Sequence, residues 1–242
     1  MNNFKLSLIG TLALAAASWG TTINVSSEES LQNILNGITV GSVSSVNVNT
    51  DQVNPDSYWS LTASGTSAAT MIVELAGNAS TNVMGLYDMS NPANKVVLFN
   101  GAATGGTKVA VSIDIAGHVT TGNTSTFTLI DQGNFAGNAF GYYLSTVGGT
   151  FYSDPILNGG VDQMVSFAGK GDAVQLPGSL PGTWTNNEYI LGWEDTGAGS
   201  DRDFNDMVVM VESVKPIPEP TTMGLMGLGL LGMFVAARRR KA

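Results

Sequence analysis

Short apolar runs rich in β-branched and aromatic residues recur through the middle of the chain, and clusters of turn-forming residues separate them. Asn91-Pro92 and Gly105-Gly106 are two such breaks. Runs of this length, with no helical pattern between them, predict β-strands. The predicted strands are residues 70–75, 83–87, 95–99, 108–115, 126–130, 139–145, 164–167, 173–176, 188–193 and 207–211.

The composition favours an all-β fold. Only 12% of the 242 residues are charged and 30 are glycine, so good helix formers are scarce and turn formers are abundant. We therefore predict a single β-sandwich of jelly-roll type over residues 46–213. A helical lead-in, residues 21–45, precedes it, because Ser26 and Glu29 have capping-box spacing. The apolar residues that follow at helical spacing are Leu31, Ile34, Leu35 and Ile38.

Cysteine is absent from the sequence, and His118 is its one histidine. These counts exclude a disulfide framework, a thiolate metal site, a cysteine nucleophile and a multi-histidine zinc site. His118 follows a strand and Gly117, which favours a solvated turn histidine over a general base. The sequence motifs of serine hydrolases, zincins and P-loop proteins are also missing. We therefore expect a protein that is not an enzyme.

Both ends of the chain have the pattern of export signals. Residues 1–20 predict a cleavable signal peptide, because Lys5 precedes an apolar run that small residues follow; a buried N-terminal helix is the alternative. Near the other end, residues 223–237 are apolar and precede a basic cluster. As a helix they span about 22 Å, and arginine side chains that reach the interface make up the missing length. We predict a transmembrane sorting helix with its basic end in the cytoplasm.

The tail resembles the PEP-CTERM sorting signal of Gram-negative bacteria. The matching residues are Pro218, Glu219 and Pro220, the apolar segment, and Arg238, Arg239 and Arg240. The resemblance implies that an exosortase, a membrane transpeptidase, recognises and removes the tail. It also implies export to the cell surface or to an exopolysaccharide-rich biofilm matrix. Linker and sorting signal together take residues 214–242, and a plain membrane anchor is the alternative.

The balance of charge favours cations as partners. The chain has a net charge of −9, and the two terminal segments hold half of its ten basic residues. The exported part is therefore more acidic still. Nucleic acid is an unsuitable partner for it, because phosphate binding needs clustered lysine and arginine. An acidic exported domain attracts cations instead.

Side-chain oxygens are densest in residues 192–206, between two predicted strands. The candidate metal ligands there are Glu194, Asp195, Asp201, Asp203, Asn205 and Asp206. Carboxylates packed so closely repel one another unless a cation lies among them, and calcium accepts an irregular set of oxygen ligands. An EF-hand is excluded, because Asp206 stands where that loop requires glycine. We predict a calcium site on this loop; the alternative is a loop whose Asx turns bind backbone N–H groups.

These residues look like the domain of unknown function 4114, which occurs in exported bacterial surface proteins. The resemblance is carried by the Glu194-Asp195 pair, a glycine-rich spacer and residues 203–206 before an apolar strand, and it extends over residues 120–213. That family has no established activity, so the calcium site remains an inference from the oxygen atoms. Phe204, within the segment, is expected to be a core anchor.

Calcium-dependent binding of a carbohydrate such as exopolysaccharide is the alternative function. Modules of the β-sandwich type often hold sugars on exposed aromatic rings beside a calcium ion. The aromatic residues available for this role are Tyr58, Trp59, Tyr142, Tyr143, Trp184 and Tyr189.

Overall fold

A computed structural model describes residues 20–26, 28–62, 66–74, 79–101, 103–123, 128–197 and 199–218. The predicted transmembrane segment and residues 1–19 of the predicted signal peptide lie outside the described residues. Within the described residues, no helix has the length and apolarity needed to cross a membrane.

The described chain is mostly β, with one α-helix, α1 (Leu31–Ile38). The strands are β1 (Tyr58–Leu61), β2 (Thr66–Glu74), β3 (Val83–Asp88), β4 (Asn91–Phe99), β5 (Lys108–Ile113), β6 (His118–Asn123), β7 (Thr128–Asn134), β8 (Ala139–Thr146), β9 (Gly149–Tyr152), β10 (Met164–Ala168), β11 (Asp172–Val174), β12 (Gly182–Trp184), β13 (Glu188–Trp193), β14 (Met207–Glu212) and β15 (Val214–Ile217). Two short 3-10 turns, Ala79–Thr81 and Pro155–Asn158, precede β3 and follow β9.

The strands form two main sheets and a separate hairpin. Sheet I has the order β15-β1-β8-β3-β4, with β9 also paired to β8. Sheet II has the order β10-β13-β14-β2-β5-β6-β7, and the hairpin is β11–β12. Every pairing is antiparallel. The mostly β prediction with one short helix is therefore confirmed. The jelly-roll subtype stays a prediction, because β3–β4, β5–β6–β7 and β13–β14 pair within one sheet instead of alternating between sheets.

The main core lies between the facing sides of the two sheets. Sheet I contributes Trp59 and Phe140, and sheet II contributes Trp193 and Val209, all fully buried. Aromatic side chains of this size bury much apolar surface, which is the principal favourable contribution to the folding of a two-sheet structure.

Strand β14 is buried on both of its faces. Met207, Val209 and Val211 belong to the main core. The alternating residues Val208 and Met210 belong to a second core, which helix α1 and the β11–β12 hairpin cover from outside sheet II. A strand with two buried faces has an uninterrupted apolar sequence, whereas a strand with one buried face alternates.

Helix α1 packs on sheet II through the predicted residues. Leu31 and Leu35 are almost completely buried, and Ile34 and Ile38 lie beside them in the second core. The predicted N-cap is wrong, however: Ser30, and not Ser26, accepts the N–H of Asn33. Ser26 instead accepts a hydrogen bond from the N–H of Glu28 and forms a separate local turn.

All ten predicted strands are present, with shifted ends in several cases. The sequence prediction lacks β1, β6, β9, β12 and β15, which are short or rich in glycine, threonine and asparagine. Residues 214–217, predicted as the start of a linker, form β15 and pair with β1. Pro216 is tolerated there because β15 lies at the edge of sheet I, where one side of the strand needs no hydrogen bonds.

We expect Leu35→Ala to destabilise the whole domain and not only the helix. Leu35 is fully buried in the second core, so its truncation should lower the free energy of unfolding by about 2–5 kcal/mol. Asn33→Ala is the matched control, because Asn33 lies on the exposed face of the same helix. Thermal and urea melts of both variants check this, and equal midpoints would show that the helix does not contribute to the core.

Candidate metal centre

Residues 194–206, here called the acidic loop, connect β13 to β14. These strands are antiparallel neighbours, and Trp193 pairs directly with Met207. The two ends of the loop are therefore held together by the most buried strands of sheet II. A loop closed in this way keeps its side chains within a small volume.

Phe204 fixes the middle of the loop to the second core. Its side chain is completely buried, which agrees with its predicted role as an anchor. Arg202 and Phe204 both have positive φ, 60° and 56°, which is unfavourable for residues with a side chain. The backbone carbonyl of Phe204 also lies so near Gly192 that a Cβ there would be 2.6 Å from it. Burial of the ring and the absence of a side chain at Gly192 together permit this conformation.

Three carboxylates of the loop converge. Glu194, Asp201 and Asp203 each place an oxygen within 4.8 Å of the others. Glu194 and Asp203 are buried, and Asp201 is exposed. Among the described residues, no lysine or arginine forms an ion pair with them. Arg202, which stands between two of them in sequence, places its guanidinium 5.9 Å from the centre of the Phe204 ring.

Hydrogen bonds orient the carboxylates but do not neutralise them. Glu194 accepts the N–H of Phe204 at 2.7 Å and the hydroxyl of Ser200. Asp203 accepts the backbone N–H of Asn205 at 3.3 Å, which is the contact expected of an Asx turn. The alternative of a hydrogen-bonded loop thus accounts for Asp203, but it supplies no positive charge for the three converging groups.

Asn205 lies beside the cluster and is fully buried. Its Nδ2 donates to Asp203 Oδ2 and to the carbonyl of Glu29, both at 2.8 Å. Its Oδ1 has no hydrogen-bond partner among the described residues. An unpaired buried oxygen costs about 1–3 kcal/mol, which a bound cation would offset.

The remaining predicted ligands, Asp195 and Asp206, lie outside the three-carboxylate cluster. The backbone N–H of Asp195 donates to Asp206 Oδ2 at 2.8 Å, and the backbone carbonyl of Asp195 accepts the hydroxyl of Thr146. The structure thus brings Glu194, Asp201 and Asp203 together and leaves Asp195 and Asp206 as a neighbouring pair.

The electrostatics of the loop reflect crowded, partly buried acids. Burial is the main cause that raises the pKa of Glu194 above its ordinary value. For Asp206, burial and then the neighbouring carboxylates of Asp195, Glu194 and Asp203 raise the pKa to about 7. Both shifts mean that the charged form is disfavoured in the protein without a bound cation.

The aromatic residues proposed as sugar platforms are mostly inaccessible, which corrects that expectation. The five that are buried in the cores or between strands are Trp59, Tyr142, Tyr143, Trp184 and Tyr189. Tyr58 is half-buried, and its hydroxyl donates to Asp154 Oδ2 at 2.5 Å. A sugar ring needs an exposed aromatic face, which the five buried residues lack.

His118 and the sorting residues lie away from the acidic loop. His118 begins β6, and its Nε2 lies 3.2 Å from Asp131 Oδ1, with both side chains substantially exposed. Pro218 is exposed at the end of the described chain. Glu219, Pro220 and the arginines of the sorting motif lie outside the described residues.

Comparison with known proteins shows two matches. Residues 119–214 match the model of the domain of unknown function DUF4114, and residues 216–241 match the PEP-CTERM protein-sorting motif. No curated protein matches the chain. The DUF4114 match begins in β6, ends in β15 and includes the whole acidic loop.

The sorting motif indicates a secreted protein of a Gram-negative bacterium that an exosortase processes. The chain therefore carries a DUF4114 domain followed directly by a PEP-CTERM protein-sorting motif.

Proposed function

We propose that this protein is a calcium-stabilised component of the bacterial cell surface or biofilm matrix, without enzymatic activity. The observation that carries the proposal is the convergence of Glu194, Asp201 and Asp203, with oxygens within 4.8 Å of one another and no cationic side chain paired with them in the described part of the chain. The buried, unpaired Oδ1 of Asn205 adds a neutral oxygen beside them.

Calcium suits these oxygens better than magnesium does. Calcium takes six to eight oxygen ligands in flexible geometry, whereas magnesium requires a nearly ideal octahedron and retains its waters. The candidate ligands come from an irregular loop and include buried carboxylates and one carboxamide. An extracellular module also meets millimolar calcium, so a weak site is sufficient there.

The position of the loop supports a structural role for the ion. Asn205 Nδ2 holds the carbonyl of Glu29, and the N–H of Asn24 donates to the carbonyl of Arg202 at 2.8 Å. The acidic loop therefore connects the N-terminal segment to sheet II. Calcium bound to Glu194, Asp201 and Asp203 would stabilise this connection by removing the repulsion between the three acids.

Exopolysaccharide binding is the alternative function, and the burial of five of the six candidate aromatic residues weakens it. A polysaccharide partner would have to use another surface. The sorting motif favours a location at the cell surface, because an exosortase processes such proteins after their export.

Calcium should raise the melting temperature of the full-length chain in mild detergent by several degrees relative to EDTA. An ion that binds only the folded state adds about 2.7 kcal/mol at one hundred times its dissociation constant. In a chain of this size, that energy corresponds to a shift of several degrees. Differential scanning fluorimetry with and without millimolar calcium measures it.

The variant Asp201→Asn should lose most of this calcium-dependent shift, because it neutralises an exposed member of the cluster. Asp131→Asn is the matched control: it removes the same charge from another exposed aspartate, at the edge of sheet II, and its shift should equal that of the parent. If calcium shifted the melting temperature equally in all three proteins, the acidic loop would be a hydrogen-bonded loop and not a calcium site.

Without calcium, the domain should become less stable as the pH rises from 5 to 8. The pKa of Asp206 is about 7 in the folded protein, above the ordinary aspartate value of 3.8. Between these values the folded state keeps a proton that the unfolded chain has lost, so the free energy of unfolding falls with rising pH. The raised pKa of Glu194 acts in the same direction.

Melts in EDTA at several pH values check this sign, and Asp206→Asn should flatten the slope because its side chain does not titrate. A melting temperature that increases across the same pH range in the parent would contradict the assignment of a raised pKa to Asp206.

A further inference from the structure

The C-terminal strand directs the chain toward the acidic loop. Strands β15 and β8 both pair antiparallel with β1, so they run in the same direction. Strand β8 ends at Thr146, whose hydroxyl donates to the carbonyl of Asp195 in the acidic loop. The chain therefore leaves Ile217 toward the end of the two sheets that holds Thr146 and the acidic loop, here called the loop end.

The distance from Ile217 to the predicted membrane segment is short. Ile217 pairs with Tyr58. The next residue of β1, Trp59, pairs with Phe140 of β8. Thr146 therefore lies about five residues, or about 17 Å, beyond the level of Ile217. The predicted membrane segment begins six residues after Ile217, and six residues span at most about 20–22 Å. At its full reach, the segment begins only a few ångströms beyond the loop end.

Exposed apolar side chains lie at the same end. Val147 is in the turn between β8 and β9, directly after Thr146, and is 69% exposed. Ile156 is in the 3-10 turn Pro155–Asn158, which follows β9, and is 70% exposed. Its neighbour Leu157 is exposed as well. Apolar side chains that are grouped on a surface mark a site of contact with a protein or a membrane.

Contacts with β1 and the acidic loop hold the 3-10 turn in this position. Asp154, whose carboxylate caps the turn, also accepts the hydroxyl of Tyr58. Because Tyr58 is the partner of Ile217, the turn lies beside the point where the chain leaves the domain. Val161, which follows the turn, lines a cavity together with Gly197 of the acidic loop. The turn is thus part of the loop end.

We infer that the loop end contacts the membrane surface while the sorting tail is inserted, with Val147 and Ile156 entering the lipid interface. The lipid bilayer is the partner because the chain's own predicted membrane segment begins so close to this end. Apolar side chains at an interface enter it by about 5–10 Å, which is enough to cross the remaining gap. The inference rests on the match to the sorting motif and does not require a bound calcium ion.

Site-directed labelling tests the inference, because the chain has no native cysteine. Val147→Cys and Ile156→Cys are each labelled with a nitrobenzoxadiazole fluorophore, and the full-length chain is reconstituted into phosphatidylcholine vesicles. Neutral lipid is used because anionic head groups would repel the acidic loop. Nitroxide groups on the acyl chains of both leaflets then quench any label that enters the bilayer, whichever way the chain is inserted.

Leu180→Cys is the matched control. Leu180 is 90% exposed and lines a cavity with Glu188 and Glu212, at the opposite end of β13 and β14 from the acidic loop. Labels at Val147 and Ile156 should lose fluorescence to the lipid nitroxides and should be protected from iodide in the water. The label at Leu180 should be quenched by iodide only. All three side chains are exposed, so the labels should leave both cores intact.

The inference is wrong if the lipid nitroxides quench the label at either Val147 or Ile156 no more than the label at Leu180. Protection from iodide without quenching by the nitroxides would also overturn it, because the surface would then contact protein, such as a second copy of this chain. The proposed calcium site is tested separately by the calcium-dependent melts. Its failure would leave the membrane contact unchanged.

Discussion

The double burial of β13 and β14 determines where the charged groups of this molecule can lie. Sheet I covers one face of these strands, and helix α1 with the β11–β12 hairpin covers the other. The loop between them cannot move away from the protein, so its carboxylates stay close together despite their repulsion. Hydrophobic packing thus holds an electrostatically unfavourable group of acids in place, and a bound cation would stabilise it.

Much of the fold could be predicted because it depends on local patterns. The ten predicted strands and the four apolar residues of α1 follow from periodicity alone. Periodicity does not identify the N-cap of α1 or strand β15. Ser26 has suitable spacing, but the chain uses Ser30, and Pro216 signals a strand boundary unless its edge position is known. Five of the six predicted sugar platforms are buried for a related reason, since sequence does not show which aromatic residues the rest of the fold covers.

The acidic loop could be identified from sequence only in part. Local density of oxygens indicated all six candidate residues, yet the division into a cluster of three and a neighbouring pair depends on how the backbone turns at Arg202 and Phe204. The region that matches DUF4114 is also incomplete as a folding unit here. It lacks β2, which pairs with β14, and it lacks β1, which pairs with β8 and β15.

The short distance between β15 and the sorting motif has a mechanical consequence. Ile217 is still paired with Tyr58, and the Pro-Glu-Pro residues follow immediately. If the protein is attached to the cell at this motif, almost no free linker separates the attachment point from the folded domain. The domain could then neither rotate freely nor move far from that point. Any pull on the anchor would act directly on the four residue pairs between β1 and β15. The edge of sheet I would then transmit the pulling force from the anchor to the rest of the domain.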